Sequence, residues 1–254
     1  MEKFQSDGVE IAYQVEGEGA PIVLVHGFAS THAANWINPG WVAQLLDMGR
    51  QVVMYDLRGH GQSALLYDPE AYRLPQLAQD LKNLIAHLGL EKPAVMGYSL
   101  GAMIALRLGV DAPNVAGSII AAGVGEKLYQ PPEHIAPIVD ALLTDEPTRT
   151  TDLAAMAFRI FADQNNQDRQ ALAACFQRAR EPFSPDVLAQ ITCPVLVVAG
   201  EKDVLAGDPY ILASSIPSGE AALIPRRDHM RAVGDKAFFE IVRTYLSGAG
   251  PSAG

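Results

Sequence analysis

The chain of 254 residues is poor in cysteine, aromatic residues and positive charge. Its only cysteines, Cys175 and Cys193, form no CxxC pair and have no histidine at zinc-finger spacing, which argues against a disulfide scaffold and against a structural zinc. Both are expected to be reduced and buried. Lys and Arg number 19 against 29 Asp and Glu, a formal net charge of −10. A nucleic-acid binder needs a basic footprint to neutralise phosphates, so that class is excluded, and an anionic membrane surface would repel the chain. No apolar run approaches the ~18 residues that a spanning helix requires. The first residues (Met-Glu-Lys-Phe-Gln-Ser-Asp-Gly) lack the apolar segment of a secretory signal, so a cytoplasmic location is expected. With 49% hydrophobic and 19% charged residues, there is ample material for a large globular core. Composition is compatible with a monomer or a homodimer.

What is present is a regular alternation of short apolar runs with helical patterns, the mark of a mainly parallel sheet covered on both faces. Residues 3–5 and 9–15 read as an opening hairpin around Ser-Asp-Gly. Further strands are expected at 21–25, 51–55, 93–97, 115–122, 194–199 and 221–224, and helices at 41–48, 75–88, 100–108 and 237–246. Residues 126–184 interrupt this pattern. They show three helical stripes and no strand: Ile135, Ile138, Val139, Leu142 and Leu143; Leu153, Met156, Ala157, Ile160 and Phe161; Leu172, Cys175, Phe176 and Ala179. The division predicted is a core of residues 1–125 and 185–247, a helical cap of 126–184 over the carboxyl edge of the sheet, and a flexible tail of 248–254.

Gly97-Tyr98-Ser99-Leu100-Gly101 falls where a strand runs directly into a helix. Such a turn forces its central serine into a strained conformation, and flanking glycines let strand and helix pass closely. Ser99 is then presented at the sheet edge, with the Leu100 N–H aimed at an oxygen that gains charge during acyl transfer. A serine hydroxyl needs a base to become nucleophilic. Of the six histidines, His229 follows the last predicted strand, at the edge where open α/β sheets bind ligands. His87 is expected on a helix surface and His134 in the cap, while His26 and His60, beside glycines in loops, suit supporting roles. Asp203, after the preceding strand, is the expected partner of His229, in the chain order Ser99, Asp203, His229. Glu126, Glu201 and Asp208 are its rivals, although Asp208 before Pro209 reads as a helix N-cap.

These elements together resemble the α/β-hydrolase superfamily, in its cap-bearing branch of esterases, lactonases and C–C bond hydrolases. The resemblance rests on His26-Gly27-Phe28 followed by Trp36, on the stretch from Asp56 to Ser63 (Asp-Leu-Arg-Gly-His-Gly-Gln-Ser), on Gly97–Gly101, on Gly200–Asp203 and on His229. It implies an α/β-hydrolase fold with a mostly parallel eight-stranded sheet and a small helical cap. It also implies an oxyanion hole from the N–H groups of Phe28 and Leu100, and a structural rather than catalytic role for Asp56–Ser63. Asp228 stands where the family often has glycine before the histidine, with Arg226 and Arg227 ahead of it. A serine at the nucleophile position argues against the dehalogenases and epoxide hydrolases of the superfamily, which use an aspartate there.

The expected activity is therefore hydrolysis of a small, mostly apolar carboxylic ester through an acyl-enzyme, without metal or organic cofactor. A C–C hydrolase, thioesterase, lactonase or perhydrolase on the same triad, or a ligand-binding receptor with negligible turnover, are the alternatives. Trp36, Met156, Phe161 and Phe176 are expected to line the substrate pocket, which is predicted to favour neutral short- to medium-chain acyl groups.

Overall fold

Asp7 and Gly8 both adopt positive φ (48° and 84°), as a tight hairpin turn demands, and pair β1 (Glu2–Ser6) with β2 (Val9–Glu16). The computed structural model describes residues 1–131, 135–146, 152–179 and 182–248. The other strands are β3 (Ala20–Val25), β4 (Arg50–Tyr55), β5 (Ala94–Tyr98), β6 (Ser118–Ala122), β7 (Val195–Gly200) and β8 (Gly219–Ile224). They form one eight-stranded sheet in the order β1-β2-β4-β3-β5-β6-β7-β8. Pairing is antiparallel from β1 to β2 and β2 to β4, and parallel for the rest.

The near-continuous apolar strands are explained by burial on both faces. Alternate residues feed two cores: Val23, Val25, Val53, Tyr55 and Val95 face one, and Ile22, Leu24, Val52, Met54 and Met96 face the other. The first core is closed by α2 (Leu74–His87) and α3 (Leu100–Asp111), whose Leu77, Leu81, Leu84, Ile104 and Leu108 join it. The second is closed by α1 (Trp41–Asp47) and by α9 (Lys236–Leu246), where Trp41 packs on Phe238 and Phe239. β6 begins at Ser118 rather than at residue 115, because Val115 and Gly117 are in a turn whose N–H groups bond to Ala112 and Pro93. Both cysteines are buried, and no disulfide joins them.

Among the described residues between β6 and β7 there are helices and no strand: α4 (Ile135–Leu143), α5 (Leu153–Gln164), α6 (Arg169–Gln177) and a short α7 (Pro185–Leu188). The first and third predicted stripes supply buried residues, with Ile138, Val139, Leu142, Leu172, Cys175 and Phe176 all inside. Leu143 and Ala179 are exposed. The second stripe is corrected. α5 buries Ala155, Arg159 and Ala162, while Leu153 is 87% exposed and Ile160 is 47% exposed. The reason is Arg159. Its guanidinium reaches the carbonyls of Ala141 and Thr144 at 2.7 and 2.6 Å, capping the end of α4 and turning that face of α5 inward. α8 (Pro209–Ala213) is short and capped by Asp208, whose side chain accepts from the Tyr210 N–H. His134 and the tail from residue 249 lie outside the described residues.

Candidate active site

β3 lies between β4 and β5, and the connection leaving β3 runs to β4 on one side while that leaving the adjacent β5 runs to β6 on the other, so the chain diverges between the carboxyl ends of β3 and β5. A crevice opens at such a switch point. Phe28 leaves β3 there, and Ser99 leaves β5. Ser99 sits at φ 54°, ψ −111°, a conformation that costs a non-glycine residue ~1–3 kcal/mol. Surrounding packing enforces it. A methyl on Gly97 would lie 2.1 Å from the Gly101 carbonyl oxygen, and one on Gly101 would lie 2.0 Å from that of Val25, so neither position accepts a side chain. The Ser99 N–H is tied to the Ala122 carbonyl of the neighbouring strand at 2.7 Å.

His229 comes from the loop after β8 and Asp203 from the loop after β7. His229 Nε2 is 3.1 Å from Ser99 Oγ, and its Nδ1 is 2.8 Å from Asp203 Oδ2. The other carboxylate oxygen, Oδ1, accepts the N–H groups of Leu205 and Ala206 at 3.1 and 3.0 Å. Asp203 is thus buried and held in one orientation. The Tyr98 hydroxyl donates to the His229 carbonyl, and Gly123 leaves room for the imidazole: a methyl there would stand 3.2 Å from Cε1. Burial pushes the Tyr98 phenol well above its ordinary range, with the Asp203 charge adding to the effect, so it acts as a neutral donor. The three rivals of Asp203 lie elsewhere. Glu201 is exposed and accepts from the Arg226 N–H, Asp208 caps α8, and Glu126 starts a short helical turn of residues 126–129.

Phe28 and Leu100 both line the crevice, and the backbone N–H of neither donates to another group among the described residues. Behind Phe28 lies a set of buried imidazoles. His60 Nε2 accepts the Ala29 N–H at 3.2 Å while its Nδ1 donates to Arg58. His26 accepts the Leu57 N–H and donates to the Gly27 carbonyl. Burial, reinforced by the neighbouring His26, pushes the His60 imidazole down to about 3, so it stays neutral and can accept. Burial alone would raise the Asp56 carboxyl, but the hydrogen bond from His32 and the nearby His26 outweigh it and hold the group at about 2. Asp56 also accepts the N–H groups of His32 and Gln62. Arg58 makes a two-pronged bond to buried Asp80, both contacts 2.7 Å, which Ser6 joins. The Asp56–Ser63 stretch therefore braces the loop that carries Phe28.

A cavity of about 510 Å³ extends from Ser99 and His229 beneath the helices of residues 135–177. Of the four predicted lining residues, only Phe176 borders it. Trp36 is fully buried in the second core on the other face of the sheet, edge-on to Trp41. Met156 and Phe161 are partly buried away from the cavity, for the rotation of α5 that Arg159 imposes instead turns Phe158 toward it. Phe158, Phe176 and Phe28 form an aromatic cluster, Phe28 and Phe176 having ring centroids 4.9 Å apart. Ile138, Leu128 and Phe183 extend the apolar wall. Arg178, at the end of α6, also lines the cavity and was not anticipated. Neither Arg226 nor Arg227 borders it; Arg227 is paired with Asp235.

Among the described residues no cluster of three or more His, Cys, Asp or Glu is arranged to hold a metal ion, and no helix is long and apolar enough to cross a membrane.

An open, mostly parallel α/β sheet with a strained serine on a strand-to-helix turn, a histidine after the last strand and an acid between them defines a class of protein. A sequence model described as the alpha/beta hydrolase family matches residues 22–242, and the chain belongs to that family. Among curated relatives, it is 28% identical over 243 residues to the dihydrolipoyllysine-residue acetyltransferase component of the acetoin cleaving system of Pseudomonas putida. That match takes in 86% of this chain and 61% of the relative, so the chain spans about three-fifths of the relative's length. An esterase from Exiguobacterium antarcticum superposes with a TM-score of 0.78 at 19% identity, covering 96% of this chain and 98% of the esterase. The enol-lactonase of Burkholderia xenovorans LB400 gives a TM-score of 0.76 at 21% identity, with 97% and 100% covered.

Proposed function

We propose that this protein is a serine hydrolase that cleaves a small, mostly apolar carboxylic ester through an acyl-enzyme. The observation that carries the reading is the continuous hydrogen-bonded chain from Ser99 Oγ through His229 to Asp203, opening into an apolar-walled cavity of about 510 Å³. Such a volume lies within the range of small-molecule sites, roughly 300–1,000 Å³.

In this mechanism Ser99 Oγ attacks the ester carbonyl as its proton passes to His229 Nε2. Asp203 holds the imidazole with Nδ1–H toward the carboxylate and stabilises the imidazolium that forms. The N–H groups of Phe28 and Leu100 receive the oxyanion. Collapse of the tetrahedral species breaks the C–O bond, and the alcohol leaves with the proton from His229. Water then attacks the acyl-enzyme, giving its proton to His229. The second collapse returns that proton to Ser99 and frees the acid. The helices over the cavity exclude bulk water and present Phe158, Phe176 and Ile138 to the apolar part of the substrate.

The test is labelling with a fluorophosphonate, followed by a panel of 4-nitrophenyl esters graded in acyl length. Covalent labelling confined to Ser99 and lost in Ser99→Ala, with turnover greatest for short to medium chains, is expected. Absence of both labelling and turnover would overturn the reading in favour of a receptor.

A further inference from the structure

We infer that the ester taken by this site carries a carboxylate, and that Arg178 is the residue that receives it. The inference rests on the function proposed above and names its substrate class more closely.

Arg178 is 4% exposed, yet it lines the same cavity as Ser99 and His229. A guanidinium has N–H donors on three nitrogens and no acceptor. Here Nη1 donates to the Cys175 carbonyl at 2.6 Å and lies 3.9 Å from the Cys175 sulfur. Among the described residues no carboxylate pairs with Arg178, and Nε and Nη2 have no acceptor. By contrast Arg58, equally buried, has Asp80, and Arg159 has Asp163. A buried charge without a counter-ion is costly and rare, because the interior does not replace the water it lost. The carbonyl end of α6 compensates only in part, since a helix terminus carries about half a charge.

The rest of the wall agrees. Among the described residues it includes Lys127 and Arg178 but no Asp or Glu, in a protein whose net charge is −10. The cavity it lines is otherwise mostly apolar, with Phe28, Phe158 and Phe176 on the same wall and the Phe28 and Phe176 rings tilted against each other. A substrate that matches this wall is an apolar ester with a single carboxylate, bound to Arg178 by two parallel N–H···O bonds. Helix capping by itself requires only the bond to Cys175 and gives no reason for the remaining donors to be enclosed at the cavity.

The experiment compares anionic with neutral esters of the same leaving-group chemistry. One pair is 4-nitrophenyl hydrogen glutarate against 4-nitrophenyl butyrate. The other is 4-(butyryloxy)benzoate against its methyl ester, which moves the carboxylate to the alcohol side. A charged hydrogen bond is worth roughly tenfold to a hundredfold. The wild-type protein is therefore expected to prefer the anionic member of at least one pair by about tenfold or more in kcat/KM. Arg178→Gln is expected to abolish that preference through KM while leaving the neutral esters within about threefold, and Arg178→Lys to restore part of it. No anionic preference in the wild type, or an equal loss on anionic and neutral esters in Arg178→Gln, overturns the inference and leaves the hydrolase reading intact. If Arg178→Gln fails to fold, the wild-type preference decides. A separate arm uses Ser99→Ala and free glutarate, read by thermal shift. A shift that disappears in Ser99→Ala/Arg178→Gln supports the anion site even if no ester is turned over, in which case only the hydrolase reading falls.

Discussion

Replacing Asp203 with Asn should reduce kcat by about 10⁴-fold with little change in stability, and the structure says why. Oδ1 of Asp203 accepts two N–H groups, from Leu205 and Ala206, so this corner must remain an oxygen. An asparagine there keeps its carbonyl oxygen in that corner and turns its NH₂ group toward His229 Nδ1, 2.8 Å away in the present structure. Nδ1 then has to accept, which places the ring proton on Nε2. Nε2, 3.1 Å from Ser99 Oγ, becomes a donor and can no longer take the serine proton. A 10⁴-fold loss corresponds to about 5.4 kcal/mol of transition-state stabilisation. The assay is kcat on a 4-nitrophenyl ester near neutral pH, with circular dichroism and the urea midpoint to confirm the fold. Asp208→Asn, which preserves the cap of α8, and Glu126→Gln should retain most activity. More than about a tenth of wild-type kcat in Asp203→Asn would refute the reasoning and bring Glu126 forward as the acid.

Other consequences can be checked by simple measurements. Ser99→Gly removes the strain of a side chain at φ 54° and should raise unfolding stability by about 1 kcal/mol in urea titration while abolishing turnover. Asp80→Ala leaves Arg58 buried without its partner and should cost about 3–5 kcal/mol, seen as a large fall in the urea midpoint. His60, held at about 3 against 6.5 in the unfolded chain, contributes stability that is full above pH 6.5 and declines as the pH falls toward 3. Stability at pH 5 should accordingly be lower than at pH 7 by about 2 kcal/mol from this group alone, and the imidazole resonances of His60 should show no titration between pH 5 and 8. Flat stability across that range would contradict the depressed value.

What the sequence by itself determined is the part of the protein governed by neighbours in the chain. Apolar runs such as Ile22–Val25 can be buried only as strands between two layers. Asp7-Gly8 makes a hairpin because both residues tolerate positive φ, and Gly97 and Gly101 announce a strand and helix too close for any side chain. The loops that carry Ser99, Asp203 and His229 follow, since each lies just beyond a strand and parallel strands all end at one edge. What only the tertiary structure decided is the direction of side chains that have two possible neighbours. An apolar stripe on α5 could face the core, the cavity or solvent. The choice fell to Arg159, which had to reach the carbonyl end of α4 and so turned Phe158 to the cavity and Leu153 to solvent. Trp36 went beneath the sheet for a similar reason: the turn at residues 33–37 packs on α1, and Trp41 awaits it there. Arg178 carries no signal in the sequence, where an arginine at the end of a helix reads as a solvated cap. Its meaning depends on which carboxylates lie nearby in space, and periodicity along one helix holds no information about distances between elements far apart in the chain.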